Sequence, residues 1–229
     1  MSAVAYADPH LRSPAVEDYA KAIYVLETRA GEPVSTNALA DRLEVTAGSV
    51  SAMLRKLADL ELVEHERYHG VRLTESGRRL ALEVIRHHRL LELFLAEVLD
   101  MPWDRVHKEA EVLEHVLSSE LEEIIAAKLG NPTHDPHGDP IPTAEFTIQE
   151  RPTHSLAELE PGARGVFVRV SDFDPEMLRY LGERGVTPGA RFEVVDRQPF
   201  GGPLFVRFGD HVHPLGGELA EAMRVEVDA

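Results

Sequence analysis

"PVSTNALADRLEVTAGSVSAMLRKLADLELV", Pro33 to Val63, decides the fold. Apolar residues recur at helical spacing in two runs separated by "VTAG". "STNALADRL" starts at a Ser or Thr cap and makes a short helix. Thr46 caps the next one, which turns Val50, Met53, Leu54 and Leu57 inward. Upstream, "SPAVEDYAKAIYVLETRAGE" is a longer helix with Ser13 at the cap, Pro14 in the first turn and Gly31 at the end. Its apolar face is Val16, Tyr19, Ile23 and Leu26. Downstream, "LVEHERYHGVRLTESG" reads as two short strands around a turn at His69-Gly70, after which Thr74 caps another helix.

Helix, helix, turn, helix, hairpin is the order of a winged helix-turn-helix. "VTAGSVSAMLRKL" stands where a recognition helix belongs. Thr46, Ala47, Gly48, Ser49 and Ser51 are small, which lets a helix end approach base edges in the major groove. Arg55, Lys56 and Arg67 are candidate phosphate contacts, with Arg72, Arg78 and Arg79 adding positive charge nearby. The chain as a whole carries a net charge of −16. A polycationic nucleic-acid coat is therefore excluded, and any DNA surface must be local.

The 229 residues contain no cysteine, so any metal site must use oxygen and imidazole nitrogen. "MSAVAYADPHLRS" lacks a basic start and apolar core, and "LLELFLAEVL" is too short and too charged to span a bilayer. The expectation is a cytoplasmic protein with no membrane contact. A long helix, "ESGRRLALEVIRHHRLLELFLAEVLDM", stops at Pro102. Leu82, Ile85, Leu90, Leu93, Phe94 and Val98 give it a broad apolar surface that suggests a helical dimer interface. "PWDRVHKEAEVLEHVL" follows as a helix. Ser119 with Glu122 forms a capping box for "ELEEIIAAKL", closed by Gly130 and Pro132. "GNPTHDPHGDPIPTAEFTIQERPTH" is rich in Pro and Gly and reads as a linker, whose His134 and His137 could ligate a metal but read first as solvated turn histidines. Beyond Ser155 come short strands, "RGVFVRVSDF", "ARFEVVDRQ", "PLFVRFGDHVHPL" and "AMRVEV", interrupted by the helix "DPEMLRYLGERG". The fold class is mainly α with a small β domain. Residues 1–75 form the winged helix-turn-helix, 76–130 a helical dimerisation and metal-binding domain, 131–154 the linker and 155–229 an SH3-like β-barrel.

Chemistry concentrates in "HKEAEVLEH", His107 to His115. On a continuous helix His107, Glu111 and His115 step by four and Glu111 and Glu114 by three, so they share a stripe. A solvated charged face would look the same, but a second donor pair exists. "RHHRLLE" puts His88 and Glu92 four apart on the preceding helix. The short "DMPWD" connection lets that pair approach His107, as in metal sites built between bundle helices.

With these motifs in place, the chain resembles the diphtheria toxin repressor family of metal-dependent transcription regulators. The match runs through the winged helix, "HHRLLELFL", "VHKEAEVLEH", "HGDPIP" and the SH3-like domain. The resemblance implies two metal sites: His88, Glu92 and His107 for one, and Glu111, Glu114 and His115 with Asp18 of "VEDYAKAIY" for the other. It also implies ligands from the SH3-like domain to the first site, matched here to Asp172 and Glu176. The family's iron sensors have Cys where this chain has Glu111 and Met where it has Asp18; its manganese sensors resemble this chain at both. Manganese sensors without the barrel carry an acidic residue where Lys21 stands, and His107 is typical of the iron branch. Hard oxygen and nitrogen donors suit Mn(II). The reading is a Mn(II)-dependent homodimeric repressor of metal-uptake genes, bound to a near-palindromic operator, with Fe(II) as the alternative metal. A dinuclear carboxylate enzyme is the rival class. It would need paired Glu-x-x-His elements on separate helices, whereas this chain has Glu111-x-x-Glu114-His115 once, without a matching second copy.

Overall fold

The structure is a computed structural model that describes residues 13–66, 70–171 and 174–228, the side chains of residues 65 and 66 excepted. The chain forms two compact units. One holds the chain through His87 with Glu114–Val116 and Pro142–Thr147; the other holds His88–Leu113, Leu117–Ile141 and the chain from Ile148 onward.

In the first unit, α1 (Pro14–Ala30) begins at Pro14, where a missing N–H costs nothing, and ends at Gly31 in the left-handed region. Ser13 occupies the cap position without a side-chain bond. α2 (Thr36–Leu43) is capped by Ser35, whose hydroxyl accepts from the Ala38 amide at 3.1 Å. Glu44, at φ 54, breaks the helix, and Thr46 caps α3 (Ala47–Asp59) by accepting from the Ser49 amide at 3.1 Å. β1 (Val63–Glu66) and β2 (Gly70–Leu73) pair antiparallel, and Val34 bridges to Val71 alongside them. Gly70 sits at φ 90 with Val34 so close that a Cβ would lie 2.9 Å from its carbonyl oxygen, so a side chain does not fit. Arg67 and His69, for which the sequence raised expectations, lie outside the described residues.

Thr74 accepts from the Gly77 amide at 3.1 Å and opens α4 (Glu75–Val98). The core of this unit joins Val16, Tyr19 and Ile23 of α1 to Leu39, Val50, Leu54, Leu57, Val71, Leu80 and Val84. Val50, Leu54 and Leu57 are buried as their spacing on α3 predicts, each leucine contributing about 1.5–3 kcal/mol. That burial turns the opposite face of α3 outward.

The second unit gathers Leu90, Leu91 and Leu93 of α4, Ala110 of α5 (Val106–Leu113), and Ile125 and Ala126 of α6 (Ser119–Lys128). Two expectations change here. α5 ends at Leu113, so Glu114 and His115 lie beyond the helix and off the predicted stripe. The cap of α6 is Ser118, not Ser119; its hydroxyl accepts from the Leu121 amide at 3.3 Å, and the register moves by one residue. Leu82, Ile85, Leu90 and Leu93, read as a dimer surface, are buried within their own chain. Val98 of that expected surface is exposed, as are Leu99 and Leu113, and the most exposed apolar residues of this region include Val112, Val116, Leu121 and Ile124.

The remaining strands make one antiparallel sheet in the order β3-β8-β4-β5-β6-β7. They are β3 (His154–Ser155), β4 (Arg164–Val170), β5 (Arg191–Arg197), β6 (Leu204–Phe208), β7 (His211–Leu215) and β8 (Met223–Val227). "PLFVRFGDHVHPL" folds into the β6–β7 hairpin, and a short α8 (Gly217–Ala222) that the strand pattern did not suggest precedes β8. Register shifts in β4–β8 and β5–β6 curl the sheet around Phe167, Phe192, Val206 and Met223, with α7 (Pro175–Gly182) packing Leu178 and Leu181 onto the same core. Among the described residues no helix is long and apolar enough to cross a membrane.

Candidate metal centre

α4 carries His88 and Glu92 one turn apart, and α5 brings His107 to them. Glu92 Oε1 lies 3.0 Å from His88 Nε2 and 3.1 Å from His107 Nδ1, and the two ring nitrogens are 3.1 Å apart. The Glu92 side chain is wholly buried. Burial alone would push its carboxyl up, but His88, His107 and His137 around it hold it well below the usual carboxylate range.

The other Glu92 oxygen meets a residue that sequence reading treated as a solvated turn histidine. His137 is fully buried, and its Nδ1 lies 3.6 Å from Glu92 Oε2. Its Nε2–H donates to the Trp103 carbonyl at 2.8 Å, and its ring stacks on the Trp103 indole. That bond fixes the tautomer and leaves an Nδ1 lone pair aimed at a carboxylate oxygen. Neither atom has a hydrogen-bond partner among the described residues. Two buried lone pairs facing each other call for a cation between them, either a proton or a metal. Where the proton serves, burial lowers the His137 pKa, but Glu92 and Asp135 outweigh it and push it up to about 9. Asp135 completes the group: its Oδ1 accepts from the His137 and Asp139 amides at 2.9 Å each. Burial, then Asp139 and Glu92, raise the Asp135 carboxyl well above the ordinary range. The turn needs Gly138, which sits at φ 89 and so close to β4 that a Cβ would be 1.9 Å from the Val168 carbonyl oxygen. His88, Glu92 and His107 thus continue into Glu92, Asp135 and His137 through a shared carboxylate.

The second group lies in the first unit. Asp18 and Lys21 of α1 meet Glu114 and His115, which the early end of α5 releases from the helix. His115 Nε2 is 3.1 Å from Asp18 Oδ1 and 3.7 Å from Glu114 Oε1. His115 Nδ1–H donates to Glu17 Oε2 at 2.6 Å. Glu17 was absent from the sequence-based set. By holding the Nδ1 proton it presents the Nε2 lone pair toward Asp18 and Glu114, the role an outer carboxylate plays behind a metal-bound histidine. The Lys21 ammonium donates to the buried Glu114 Oε1 at 2.6 Å.

Not every expected ligand joins these groups. Glu111 remains on α5 with an exposed side chain, 3.6 Å from His107 Nε2, and is in neither cluster, because the stripe that would align it with Glu114 stops at Leu113. Glu176 is exposed in the first turn of α7, where its amide donates to the Asp174 cap, and it also joins no cluster. Asp172 lies outside the described residues. On α3, Thr46, Ala47, Gly48, Ser49, Arg55 and Lys56 are exposed, whereas Ser51 is half-buried and returns its hydroxyl to the Ala47 carbonyl at 2.9 Å. Around them, Arg72 pairs with Glu27, Arg78 lies over Tyr24 and Arg79 over Phe146, so these three are committed within the chain.

This arrangement has relatives. Residues 13–71 match the iron dependent repressor N-terminal DNA binding domain, residues 74–143 the iron dependent repressor metal binding and dimerisation domain, and residues 154–227 the FeoA domain. The iron-dependent repressor IdeR of Mycobacterium tuberculosis is 34% identical over 222 residues, which cover 92% of this chain and 96% of that one. The chain belongs to the iron-dependent repressor family. The family, which includes the diphtheria toxin repressors, is one of metal-dependent DNA-binding transcriptional repressors and not of enzymes. Among solved structures, a manganese-dependent transcriptional repressor in complex with manganese is 42% identical, covers 93% of this chain and 100% of its own, and superposes with a TM-score of 0.85. The manganese regulator SloR is 30% identical, covering 95% of this chain and 100% of its own, with a TM-score of 0.74. Iron-dependent and manganese-dependent members of the family therefore both stand near this chain.

Proposed function

We propose that this member of the iron-dependent repressor family is a homodimeric repressor that binds operator DNA when loaded with Mn(II). The observation that carries the reading is the buried Glu92, whose two oxygens face His88, His107 and His137 while Oε2 has no hydrogen-bond partner among the described residues. The donor set fits a hard divalent ion. Separations of 3.0–3.1 Å between Glu92 Oε1, His88 Nε2 and His107 Nδ1 equal the edge of an octahedron with bonds of about 2.2 Å, between the Mg and Ca ranges. With no thiolate available, oxygen and imidazole donors favour Mn(II) over later, softer metals.

In this reading His88, Glu92 and His107, with His137 and Asp135, hold one ion, and Asp18, Glu114 and His115 hold the other. A bound divalent ion supplies positive charge that lets the crowded carboxylates coexist. Asp18 ties this to DNA, because α1 packs on α2 and α3 through Val16, Tyr19 and Ile23. Thr46, Ala47, Gly48, Ser49 and Ser51 face base edges, and Arg55, Lys56 and Arg67 the phosphates. Residues 1–75 serve as DNA-binding domain, 76–130 as dimerisation and metal-binding domain, and 155–229 as the SH3-like domain behind the 131–154 connection. A dimer places two α3 helices on half-sites about one helical turn apart, which makes the operator near-palindromic.

A second metal is favoured by a specific observation. IdeR, similar along nearly the full chain, is named for iron. Binding of the full chain to its own upstream DNA, titrated with Mn(II), Fe(II), Co(II), Zn(II) and chelator, tests both. Retention only with Mn(II) supports the proposal; stronger activation by Fe(II) selects the alternative; equal binding in chelator defeats metal dependence altogether.

A further inference from the structure

We infer that His87 is a positioning residue of the Asp18–Glu114–His115 cluster, holding two of its side chains in place through one backbone carbonyl. The inference rests on the metal-binding reading of that cluster. The two histidines of "RHHRLLE" are neighbours on α4, so their side chains leave the helix about 100° apart. His88 meets Glu92 and His107. His87 is buried, and its Nδ1 lies 3.2 Å from the Glu114 carbonyl oxygen. A carbonyl oxygen only accepts, so the proton sits on Nδ1 and the imidazole is the donor.

This carbonyl is where the segment needs holding. α5 ends at Leu113, and Glu114 follows it directly. A helix has no N–H of its own to offer the carbonyls at its C-terminal end, and a buried carbonyl without a donor is costly. The His87 imidazole brings the donor from another helix. The carbonyl also belongs to the peptide that joins Glu114 to His115, and both side chains are in the cluster. His115 Nε2 is 3.7 Å from Glu114 Oε1 and 3.1 Å from Asp18 Oδ1. Lys21 and Glu17 orient the Glu114 and His115 side chains at their far ends. The His87 bond fixes the peptide plane from which both side chains start. Partners that hold a metal ligand from behind are worth about 10–100-fold in metal affinity.

The test is a calorimetric Mn(II) titration of the full chain carrying His87→Phe, which keeps a ring but no donor, or His87→Asn, whose Nδ2–H stands close to the place of the imidazole Nδ1–H. Each is combined with Glu92→Gln to read the Asp18–Glu114–His115 group, and with His115→Ala to read the other group. His87→Phe should weaken Mn(II) at the Asp18–Glu114–His115 group by about 10–100-fold and leave the other group as in wild type. His87→Asn should recover most of that loss. Hydrogen exchange in chelator adds a readout that needs no metal: residues 114–118 should exchange faster in His87→Phe, while α1 exchanges as in wild type. Wild-type affinity in His87→Phe, a His87→Asn variant no better than His87→Phe, or unchanged exchange at residues 114–118 would each overturn the inference alone. If His115→Ala by itself loses no ion relative to wild type, the cluster binds no metal, and the underlying reading falls together with the role of His87.

Discussion

Glu92 Oε2 and His137 Nδ1 face each other across 3.6 Å of buried space, and neither has a hydrogen-bond partner among the described residues. Trp103 holds the far side of the imidazole through its carbonyl, so the ring cannot turn its N–H toward the carboxylate without breaking that bond. Glu92→Gln keeps the volume and removes the charge. It is expected to weaken Mn(II) binding at this cluster by at least roughly 10–100-fold, the loss that even outer partners of a metal ligand produce. Calorimetric titration reads this directly. An unaltered affinity and count would show that the cluster is a proton-bridged structural group.

Metal should stabilise the fold in proportion to its free concentration. One site held at 100 times its dissociation constant contributes about 2.7 kcal/mol, and chelator removes it. Thermal unfolding followed against Mn(II) concentration should therefore rise steadily from the chelated baseline. His115→Ala should retain part of that rise, because His88, Glu92 and His107 are in a different group from His115. Loss of the whole rise in this variant would mean that the two clusters are not independent.

Dimerisation should depend on the exposed apolar residues rather than on the first half of α4. Leu121 and Ile124 project from α6 at 47% and 57% exposure, and Val112 and Val116 are exposed at 70% and 76%. Ile124→Glu places a charge there without touching either metal group. It should dissociate the dimer in sedimentation, keep wild-type Mn(II) binding and lose high-affinity operator binding, which needs two half-sites. A dimer that survives Ile124→Glu together with Val112→Glu would place the interface elsewhere.

The parts of this fold that were legible in the sequence are those fixed locally. Thr46 caps α3, and Val50, Leu54 and Leu57 repeat at helical spacing, so both the helix and its outward face follow from adjacent residues. His88 and Glu92 meet because four residues make a turn. The joining of Asp18 to His115 was visible only through family resemblance, since no local pattern brings α1 to the end of α5. His137 was misread because a histidine between Pro and Gly is normally solvated; its burial comes from Trp103 and from the close approach of Gly138 to Val168. Glu111 was misplaced because "LEHVLSS" contains no Gly or Pro to announce that α5 stops at Leu113. Lys21 and Glu17 look like ordinary charges on a helix face until Glu114 and His115 arrive opposite them.

The outward face of α3 carries a charge that should be felt by all DNA alike. Lys56 is exposed in the last turn, and its position suits a phosphate rather than a base. Lys56→Ala should weaken binding to operator and unrelated DNA by a similar factor and lower the slope of log affinity against log salt by about one. Fluorescence anisotropy across a salt series measures both. An unchanged slope would place Lys56 off the DNA.

Asp18 should link metal to DNA. Its Oδ1 is 3.1 Å from His115 Nε2, and its helix shares a core with α3 through Val16, Tyr19 and Ile23. Asp18→Ala removes one ligand and no apolar contact, so the dimer should persist and His88, Glu92 and His107 should still bind an ion. What should shrink is the ratio of operator affinities with and without Mn(II). Allosteric couplings amount to about 1–3 kcal/mol, or 5–150-fold, and require a contact that differs between the two states. Losing most of that factor is the expected result. The competing view is that Asp18 only complements the N-terminal end of the α1 dipole. In that case the mutation costs about 0.3–1 kcal/mol of stability and leaves activation whole. Metal count, thermal stability in chelator and operator affinity, all measured on Asp18→Ala, separate the two: full activation by Mn(II) with slightly lowered stability would return Asp18 to a helix-end role, whereas intact stability with lost activation would make it the link.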